Sequence, residues 1–231
     1  MIDTYVSVDL ETTGLNPKYD KIIEIGAVKV IHGEMTETFE SFVNPHRKLD
    51  KKVIELTHIT DEQLVDAPEI EIVLKQFLEF AGEEILLGHR ILFDYSFLKK
   101  AAVNCKLPFE RRGIDTLKLA RKYLPDLESR RLPFLCQYYG IAYTAHRALE
   151  DAKASHLLYQ RLMTDFCKEE EFKAYPLIYQ VKKEAPASKH QKERLCQLID
   201  KHKLIVDYDV DSLTKNEVSR YTDKILAKYG R

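Results

Sequence analysis

Short apolar, β-rich segments dominate the first part of the chain. Residues 4–9 form one such segment, and residues 21–31 and 35–43 form two more around the pair His32-Gly33. Two β-rich segments joined by a glycine-containing turn predict a β-hairpin. We therefore expect the chain to begin with three strands, of which the second and third pair directly.

Helical periodicity alternates with short buried strands from residue 61 to residue 166. The segment 61–81 predicts one helix, with Ile72 and Leu74 on its apolar face and Pro68 near its start. The further predicted elements are strand 85–88, helix 93–103, a strand end at 114–115 with a helix through Tyr123, helix 132–139 and helix 149–166. This alternation indicates an α/β fold in which helices flank a mixed sheet.

The chain beyond residue 166 differs from the alternating part. Residues 167–187 are charged, contain two prolines and lack a strong period, so they predict a linker. Residues 188–231 predict a small helical module, because Ser188 can cap one helix and Thr214 and Glu217 have the spacing of a capping box for another. The predicted division is a domain over 1–166, the linker and the module.

Composition narrows the class of protein. The chain has 231 residues, 45% of them hydrophobic, a net charge of −1 and four cysteines, none in a C-x-x-C pair. These values indicate a globular protein with reduced thiols and argue against a disulfide scaffold. The apolar segments are too short to span a bilayer, and the first residues lack the layout of a signal peptide. We expect a cytoplasmic location and no membrane partner.

Two carboxylates, Asp9 and Glu11, stand at the end of the first predicted strand. Side chains alternate along a strand, so both carboxylates point to one face and repel each other. A divalent metal relieves such repulsion, and hard oxygen ligands suit Mg²⁺ or Mn²⁺. The alternative is a pair of solvated surface acids, since the Asp-x-Glu pattern is short and common.

Two later acids stand at predicted helix starts. Asp94 follows the buried strand that ends at Gly88-His89, and Asp151 opens the last long helix, with His146 in the loop before it. In open α/β sheets, functional sites form at the ends of strands. These positions suggest that the later acids join the first pair in one site.

In this order, the motifs resemble the DEDD family of 3′→5′ exonucleases, in the DnaQ-like (DEDDh) variant with a histidine five residues before the last aspartate. That family includes the proofreading epsilon subunit of bacterial DNA polymerase III. The resemblance covers about the first 166 residues and implies a ribonuclease-H-like fold with two Mg²⁺ or Mn²⁺ ions. It assigns His146 as the general base. The implied metal ligands are Asp9, which would bridge the ions, Glu11, Asp94 and Asp151.

The resemblance also implies how a terminal nucleotide is held. The 3′ end would contact the turn formed by Thr12, Thr13, Gly14 and Leu15. Phe93 would touch the nucleotide, or would pack against the sheet. The implied reaction is hydrolysis of single-stranded ends to 5′-mononucleotides, and the likeness to proofreading domains favours DNA over RNA as the substrate.

One substitution departs from the family pattern. Arg90 stands where the family usually has asparagine; it either contacts a phosphate or points to solvent. Other roles stay open: an RNA-trimming enzyme of the same family, or a module that binds nucleic acid or a polymerase without catalysis. Residues 188–231 either bind single strands or a replication or repair protein such as a polymerase, or pack on the first domain as an appendage.

Five further polar residues are predicted to be structural. We expect a strand-end role for His89, a core or rim position for His156, and a helix-capping role for Asp115. Glu150 is predicted to be solvated, on a different face of the helix from Asp151. Glu24 is predicted to be a partner in the sheet or in a helix cap.

Overall fold

The computed structural model describes residues 2–142, 144–166 and 171–230. In this part of the chain, one mixed sheet has the strand order β3-β2-β1-β4-β5-β6. Its strands are β1 (Tyr5–Thr12), β2 (Ile22–Ile31), β3 (Glu34–Phe42), β4 (Leu86–Gly88), β5 (Arg112–Asp115) and β6 (Tyr175–Pro176). The hairpin of β2 and β3 agrees with the prediction, and β1 runs antiparallel to β2 and parallel to β4.

Helices cover both faces of the sheet, which agrees with the α/β prediction. The α-helices in the described residues are α1 (Lys51–Thr57), α2 (Asp61–Leu64), α3 (Ile70–Ala81), α4 (Leu92–Asn104), α5 (Thr116–Tyr123), α6 (Leu132–Tyr139), α7 (Ala148–Phe166), α8 (Lys189–Lys201) and α9 (Lys215–Tyr229), of which α8 and α9 pack on each other away from the sheet. Buried residues of α3 and α4 form one apolar cluster with the sheet. Buried residues of α5, α6 and α7 form a second one.

Strand β1 separates these two clusters by the alternation of its side chains. Val6 and Val8 belong to the cluster with α3 and α4, whereas Tyr5 belongs to the cluster with α7. The Ser7 hydroxyl donates to the Ala152 carbonyl oxygen of α7 at 2.7 Å. The period of two then directs Asp9 and Glu11 toward α7 as well.

The prediction of one helix over 61–81 is wrong. The structure has α2 and α3 separated by five residues, because Pro68 disfavours helical backbone in the residue before it. Ile72 is 51% exposed, and Val73 takes the buried position instead. Helix α1 has no counterpart among the predicted elements.

The predicted linker over 167–187 contains ordered parts of the sheet and core. Strand β6 pairs antiparallel with β5 and forms the edge of the sheet. Phe172 and Ala174 are buried in the cluster with α7, and Leu177 is buried in the other one. The low periodicity of the segment concealed these contacts, since a two-residue strand is too short to show a pattern.

The helical module predicted over 188–231 contains α8 and α9. Ser188 accepts a hydrogen bond from the Gln191 backbone N–H, and Thr214 with Glu217 forms the predicted capping box. Leu195 and Val218 lie in a small apolar cluster between the helices. Among the described residues, none of the helices combines the length and the apolar character needed to cross a membrane.

Candidate active site

Three of the predicted metal ligands meet between β1 and the first turn of α7. Carboxylate oxygens of Asp9, Glu11 and Asp151 all lie within 4.8 Å of one another. Gly26 makes this approach possible, because it pairs with Asp9 across β1 and β2 and lies under the start of α7. A Cβ atom at Gly26 would be 2.0 Å from the Leu149 backbone nitrogen.

The electrostatics of this cluster favour a bound cation. Burial, followed by repulsion from Asp151 and Glu24, raises the pKa of Glu11 to about 8, although Arg147 opposes the shift. Burial and then the charge of Asp94 also raise the pKa of Asp9 well above its usual range. Neighbouring acids that resist ionisation without a counter-charge fit a site for divalent metal ions with oxygen ligands.

Asp94, the fourth predicted ligand, opens the first turn of α4 and is buried. One of its carboxylate oxygens accepts a hydrogen bond from the Leu10 backbone N–H at 3.2 Å, which ties α4 to β1 between Asp9 and Glu11. Its carboxylate stands outside the group of three, and its charge is the second cause, after burial, of the raised pKa of Asp9. Burial also raises the pKa of Asp94 well above its usual range, so this acid likewise fits a site that holds a cation.

His146 lies in the loop before α7, with its backbone in the left-handed region at φ 66°. Its backbone N–H donates to an Asp151 carboxylate oxygen at 2.9 Å. The next residue, Arg147, donates to Glu24 at 2.9 Å and to Glu40 at 3.0 Å. The loop that carries the predicted general base is thus attached both to a predicted metal ligand and to β2.

The turn from Thr12 to Leu15 is held by the residues that follow it. The Thr13 backbone N–H donates to the Lys21 carbonyl oxygen at 2.9 Å, and the Lys21 N–H donates to the Thr13 hydroxyl at 3.0 Å. The Thr12 hydroxyl donates to the Gly14 carbonyl oxygen at 2.7 Å. Leu15 projects from this turn with 80% of its surface exposed. Sequence inspection missed the role of Lys21.

Arg90 and Phe93 lie together beside the site. The Arg90 backbone has φ 77°, a region that asparagine tolerates better than most other residues, which is consistent with the usual family residue. Its N–H donates to the Asp115 carboxylate at 3.0 Å, and its guanidinium lies 5.7 Å from the centre of the Phe93 ring.

A groove with a cationic wall runs from Leu15 past Arg90 and Phe93. Among the described residues, none of the ion pairs engages the positive side chains that line it, which come from α5 and the segment before α6: Lys118, Arg121, Arg130 and Arg131. Sequence inspection missed this group, because its members are spread over fourteen positions and form no basic run. Only the fold brings them to one wall.

His89, Asp115, His156 and Glu24 occupy the structural positions predicted for them, and the Glu150 side chain is 41% exposed. His89 donates from Nε2 to the Arg130 carbonyl oxygen, and Asp115 caps α5 by accepting from the Leu117 N–H. His156 is buried beside the Tyr5 hydroxyl, at 2.9 Å. Glu150 pairs with Lys153 at 2.8 Å. Glu24 does cap a helix, since its carboxylate accepts from the Ala148 N–H.

Comparison with curated proteins shows a relative among DNA polymerases. The chain is 43% identical over 172 residues to a PolC-type DNA polymerase III from Oceanobacillus iheyensis. The match includes 73% of this chain and 12% of the polymerase, so the chain corresponds to a small part of that relative.

Comparison with solved structures shows the same architecture in two nucleases. Exonuclease X in complex with 5′-overhanging duplex DNA has a TM-score of 0.58 and 26% identity, over 73% of this chain and 96% of that one. The nuclease domain of 3′hExo, a DEDDh family member bound to rAMP, has a TM-score of 0.63 and 24% identity, over 75% of this chain and 96% of that one. The fold is therefore the predicted ribonuclease-H-like exonuclease fold.

Comparison with models of protein families shows the family of this chain. The RNase_T model, described as an exonuclease family, matches residues 6–159, which include every predicted metal ligand. This match covers more than half of the chain, and the chain therefore belongs to the RNase_T exonuclease family.

Proposed function

We propose that this protein is a metal-dependent 3′→5′ exonuclease that hydrolyses single-stranded DNA ends to 5′-mononucleotides. The observation that carries the proposal is the cluster of Asp9, Glu11 and Asp151, whose oxygens lie within 4.8 Å of one another in an exonuclease-family fold. Burial and repulsion raise the pKa values of Asp9 and Glu11, and a bound divalent cation would favour their ionised forms. A phosphodiester bound beside metal ions supplies the remaining ligands that such a cluster leaves open.

The residues that would hold Mg²⁺ or Mn²⁺ are Asp9, Glu11, Asp94 and Asp151. When bound, a pair of such ions supplies an activated water and neutralises charge on the leaving oxygen. The protein holds the acids in place before the ions arrive. Ser7 bonds β1 to α7, and the Leu10 N–H fixes one oxygen of Asp94.

His146 is the proposed general base. Its loop position allows the imidazole to take a proton from the attacking water after the substrate has bound, and an ordinary imidazole can accept one near neutral pH. The hydrogen bond from its backbone N–H to Asp151 couples the position of the base to that of a metal ligand.

The substrate would lie in the groove beside the cluster. Thr12, Thr13, Gly14 and Leu15 form the end where the terminal nucleotide would be held, with the exposed Leu15 side chain against a base. Arg90 and the cationic wall would contact phosphates, and Phe93 would contact the sugar or base. A groove of this kind suits a single strand, whose backbone can follow the wall while its bases stack.

DNA is the proposed substrate because the relatives act in that context. The curated relative is a DNA polymerase III. Exonuclease X, which is 26% identical to this chain, is in complex with duplex DNA. A polymerase of this kind is also the proposed partner, since the matching segment in the relative is part of such an enzyme. The alternative substrate is RNA, digested in the same 3′→5′ direction.

The test is digestion of 5′-labelled DNA and RNA oligonucleotides of the same sequence, with Mg²⁺ or Mn²⁺, by the wild type and by the Asp9→Ala variant. We expect a ladder shortened from the 3′ end, release of 5′-mononucleotides, faster digestion of DNA and no digestion by the variant. If the protein digests RNA and not DNA, the proposed substrate is wrong and RNA takes its place. Absence of metal-dependent digestion by the wild type would leave a binding module without catalysis.

A further inference from the structure

Glu217 of the C-terminal module makes two kinds of contact at once. One carboxylate oxygen, Oε2, accepts from the Thr214 backbone N–H and hydroxyl, both at 2.9 Å, and so completes the cap of α9. The other oxygen, Oε1, lies 2.7 Å from Arg47 Nη2 and 3.1 Å from Lys21 Nζ. The capping-box glutamate therefore also binds two cations of the catalytic domain.

This arrangement is buried and electrostatically favourable. The Glu217 side chain is 3% exposed, and those of Arg47 and Lys21 are 12% and 30% exposed. Burial opposes ionisation of Glu217, but Lys21 and the bonds from Thr214 prevail and lower its pKa to about 2. Charged hydrogen bonds of this type are stronger than neutral ones and hold their partners in a defined geometry.

Lys21 and Arg47, the two partners of Glu217, are both connected to the segment that follows the turn Thr12–Leu15. Lys21 ends this segment, and Arg47 contacts it at Tyr19. Lys21 exchanges two hydrogen bonds with Thr13, the centre of that turn. Arg47 donates from Nη1 to the Tyr19 carbonyl oxygen at 3.1 Å. A continuous chain of polar contacts therefore runs from α9 through Lys21 to Thr13.

Two other contacts attach the module to the same region. The guanidinium of Arg220, in α9, lies 4.8 Å from the centre of the Tyr19 ring. The Lys48 backbone N–H donates to the Asp207 carbonyl oxygen at 2.7 Å, beside a bridge between Arg47 and Tyr208. The module thus packs on the catalytic domain, as one of the two sequence interpretations expected, and does so next to the loop 16–21.

We propose that the C-terminal module is an intramolecular brace for the turn that holds the 3′ nucleotide, with Glu217 as its positioning residue. The assignment of the turn rests on the exonuclease function proposed above. By holding Lys21 and Arg47, Glu217 restricts the loop 16–21 and lowers the entropy that Thr12–Leu15 loses when a strand end binds. The brace acts on substrate binding, whereas the carboxylate cluster acts on the chemical step.

The test uses the full chain with Glu217→Gln, which preserves the shape of the side chain and removes its charge. Amide hydrogen exchange by NMR reports the turn directly at the Thr13 and Lys21 N–H groups. We expect exchange there to become about tenfold faster, because the variant weakens the charged contacts of Glu217 with Arg47 and Lys21. On a DNA oligonucleotide we expect KM to rise roughly fivefold while kcat changes less than about twofold.

The matched control is Ser188→Ala, which removes the cap of α8 and leaves the contacts of Glu217 intact. We expect this variant to exchange like the wild type at Thr13 and Lys21. If Glu217→Gln does not fold by circular dichroism, the double variant Lys21→Gln/Arg47→Gln removes both ion pairs from the other side, and the Thr13 N–H reports the turn. Unchanged exchange at Thr13 and Lys21 in a folded variant overturns the brace. An inactive wild type defeats the exonuclease proposal instead, and the exchange measurement still decides the brace.

Discussion

The Glu24 carboxylate of β2 accepts a hydrogen bond at 3.0 Å from the Ala148 backbone N–H, the first residue of α7. Glu24 is fully buried and also binds the Arg147 guanidinium at 2.9 Å. An anion at a helix N-terminus is stabilised by the free N–H groups and the helix dipole. This pair therefore sets where α7 begins, and with it the position of Asp151 one turn later.

Replacement of Glu24 by glutamine should weaken both the fold and the metal site. We expect Glu24→Gln to lower the free energy of unfolding by about 2 kcal/mol, because a buried charged hydrogen bond is lost. The apparent metal affinity should fall roughly tenfold, since Glu24 supports the helix that carries the proposed ligand Asp151. Urea unfolding and Mn²⁺ titration of activity measure the two effects. Glu40→Gln, which removes the half-exposed partner of Arg147, should cost less than about 0.5 kcal/mol.

Gly26 should tolerate no side chain. In Gly26→Ala the new Cβ would meet the backbone of Leu149 at 2.0–2.5 Å, so β2 or α7 must move. We expect a loss of roughly 3 kcal/mol in stability, comparable to severe overpacking, together with a large loss of activity. Gly140→Ala is the comparison without a clash, because the space there is open and its cost of about 1 kcal/mol comes from φ 63° alone. Equal melting temperatures of the two variants would contradict the close packing of α7 on β2.

The metal-free protein should lose stability as the pH rises from about 7 to about 8.5. The folded state raises the pKa of Glu11 to about 8 from 4.5, so it binds a proton that the unfolded state has released. Stability therefore falls with rising pH from about 4.5, where the unfolded state loses its proton, to about 8, where the folded state does, and the part of this loss between pH 7 and 8.5 is roughly 1 kcal/mol. Thermal melting in EDTA measures the slope.

Added Mn²⁺ should reverse this dependence. We expect the ion to raise the melting temperature more at the upper end of that range, because protons and metal compete for the same carboxylates. The Glu11→Gln variant should show a flatter slope in EDTA. A wild type with the same melting temperature at both ends of the range would contradict the raised pKa of Glu11 in the buried cluster.

His146→Gln should slow the chemical step without releasing metal. Loss of a general base reduces kcat by roughly 10²- to 10⁴-fold. Single-turnover digestion with saturating Mn²⁺ gives the rate, and the Mn²⁺-induced rise in melting temperature shows whether the metal site survives. An unchanged kcat would remove His146 from the mechanism and leave the histidine a role in the loop alone.

The cationic wall should dominate the salt dependence of single-strand binding. In an Asp9→Ala background that prevents digestion, removal of two wall residues in Arg121→Gln/Arg130→Gln should reduce the slope of log affinity against log salt by about 1.4, or about 0.7 for each lost phosphate contact. Fluorescence anisotropy with a labelled oligonucleotide measures the slope. Lys51→Gln, at the exposed start of α1, should leave it unchanged. A wall variant with the wild-type slope would place the strand elsewhere.

The sequence by itself determined several of the local strands and helices and the order of the acidic motifs along the chain. Alternation along β1 put Asp9 and Glu11 on one face, and a capping box marked the start of α9. These features depend on neighbours within a few residues, so a single sequence reveals them. The presence of an acid at the start of α7 was also readable, because helix starts carry their own signals.

Tertiary structure decided those long-range contacts for which the sequence carries no motif. Glu24 caps a helix that begins 124 residues later, and the wall of the groove collects cations that form no run. Strand β6 exists only because β5 offers an edge to pair with. One carboxylate oxygen of Glu217 makes the predicted helix cap. The other oxygen contacts Lys21 and Arg47, and this contact requires the module to pack on the catalytic domain. Long-range pairing of charges leaves no periodic trace in a sequence, and folding alone brings the partners together.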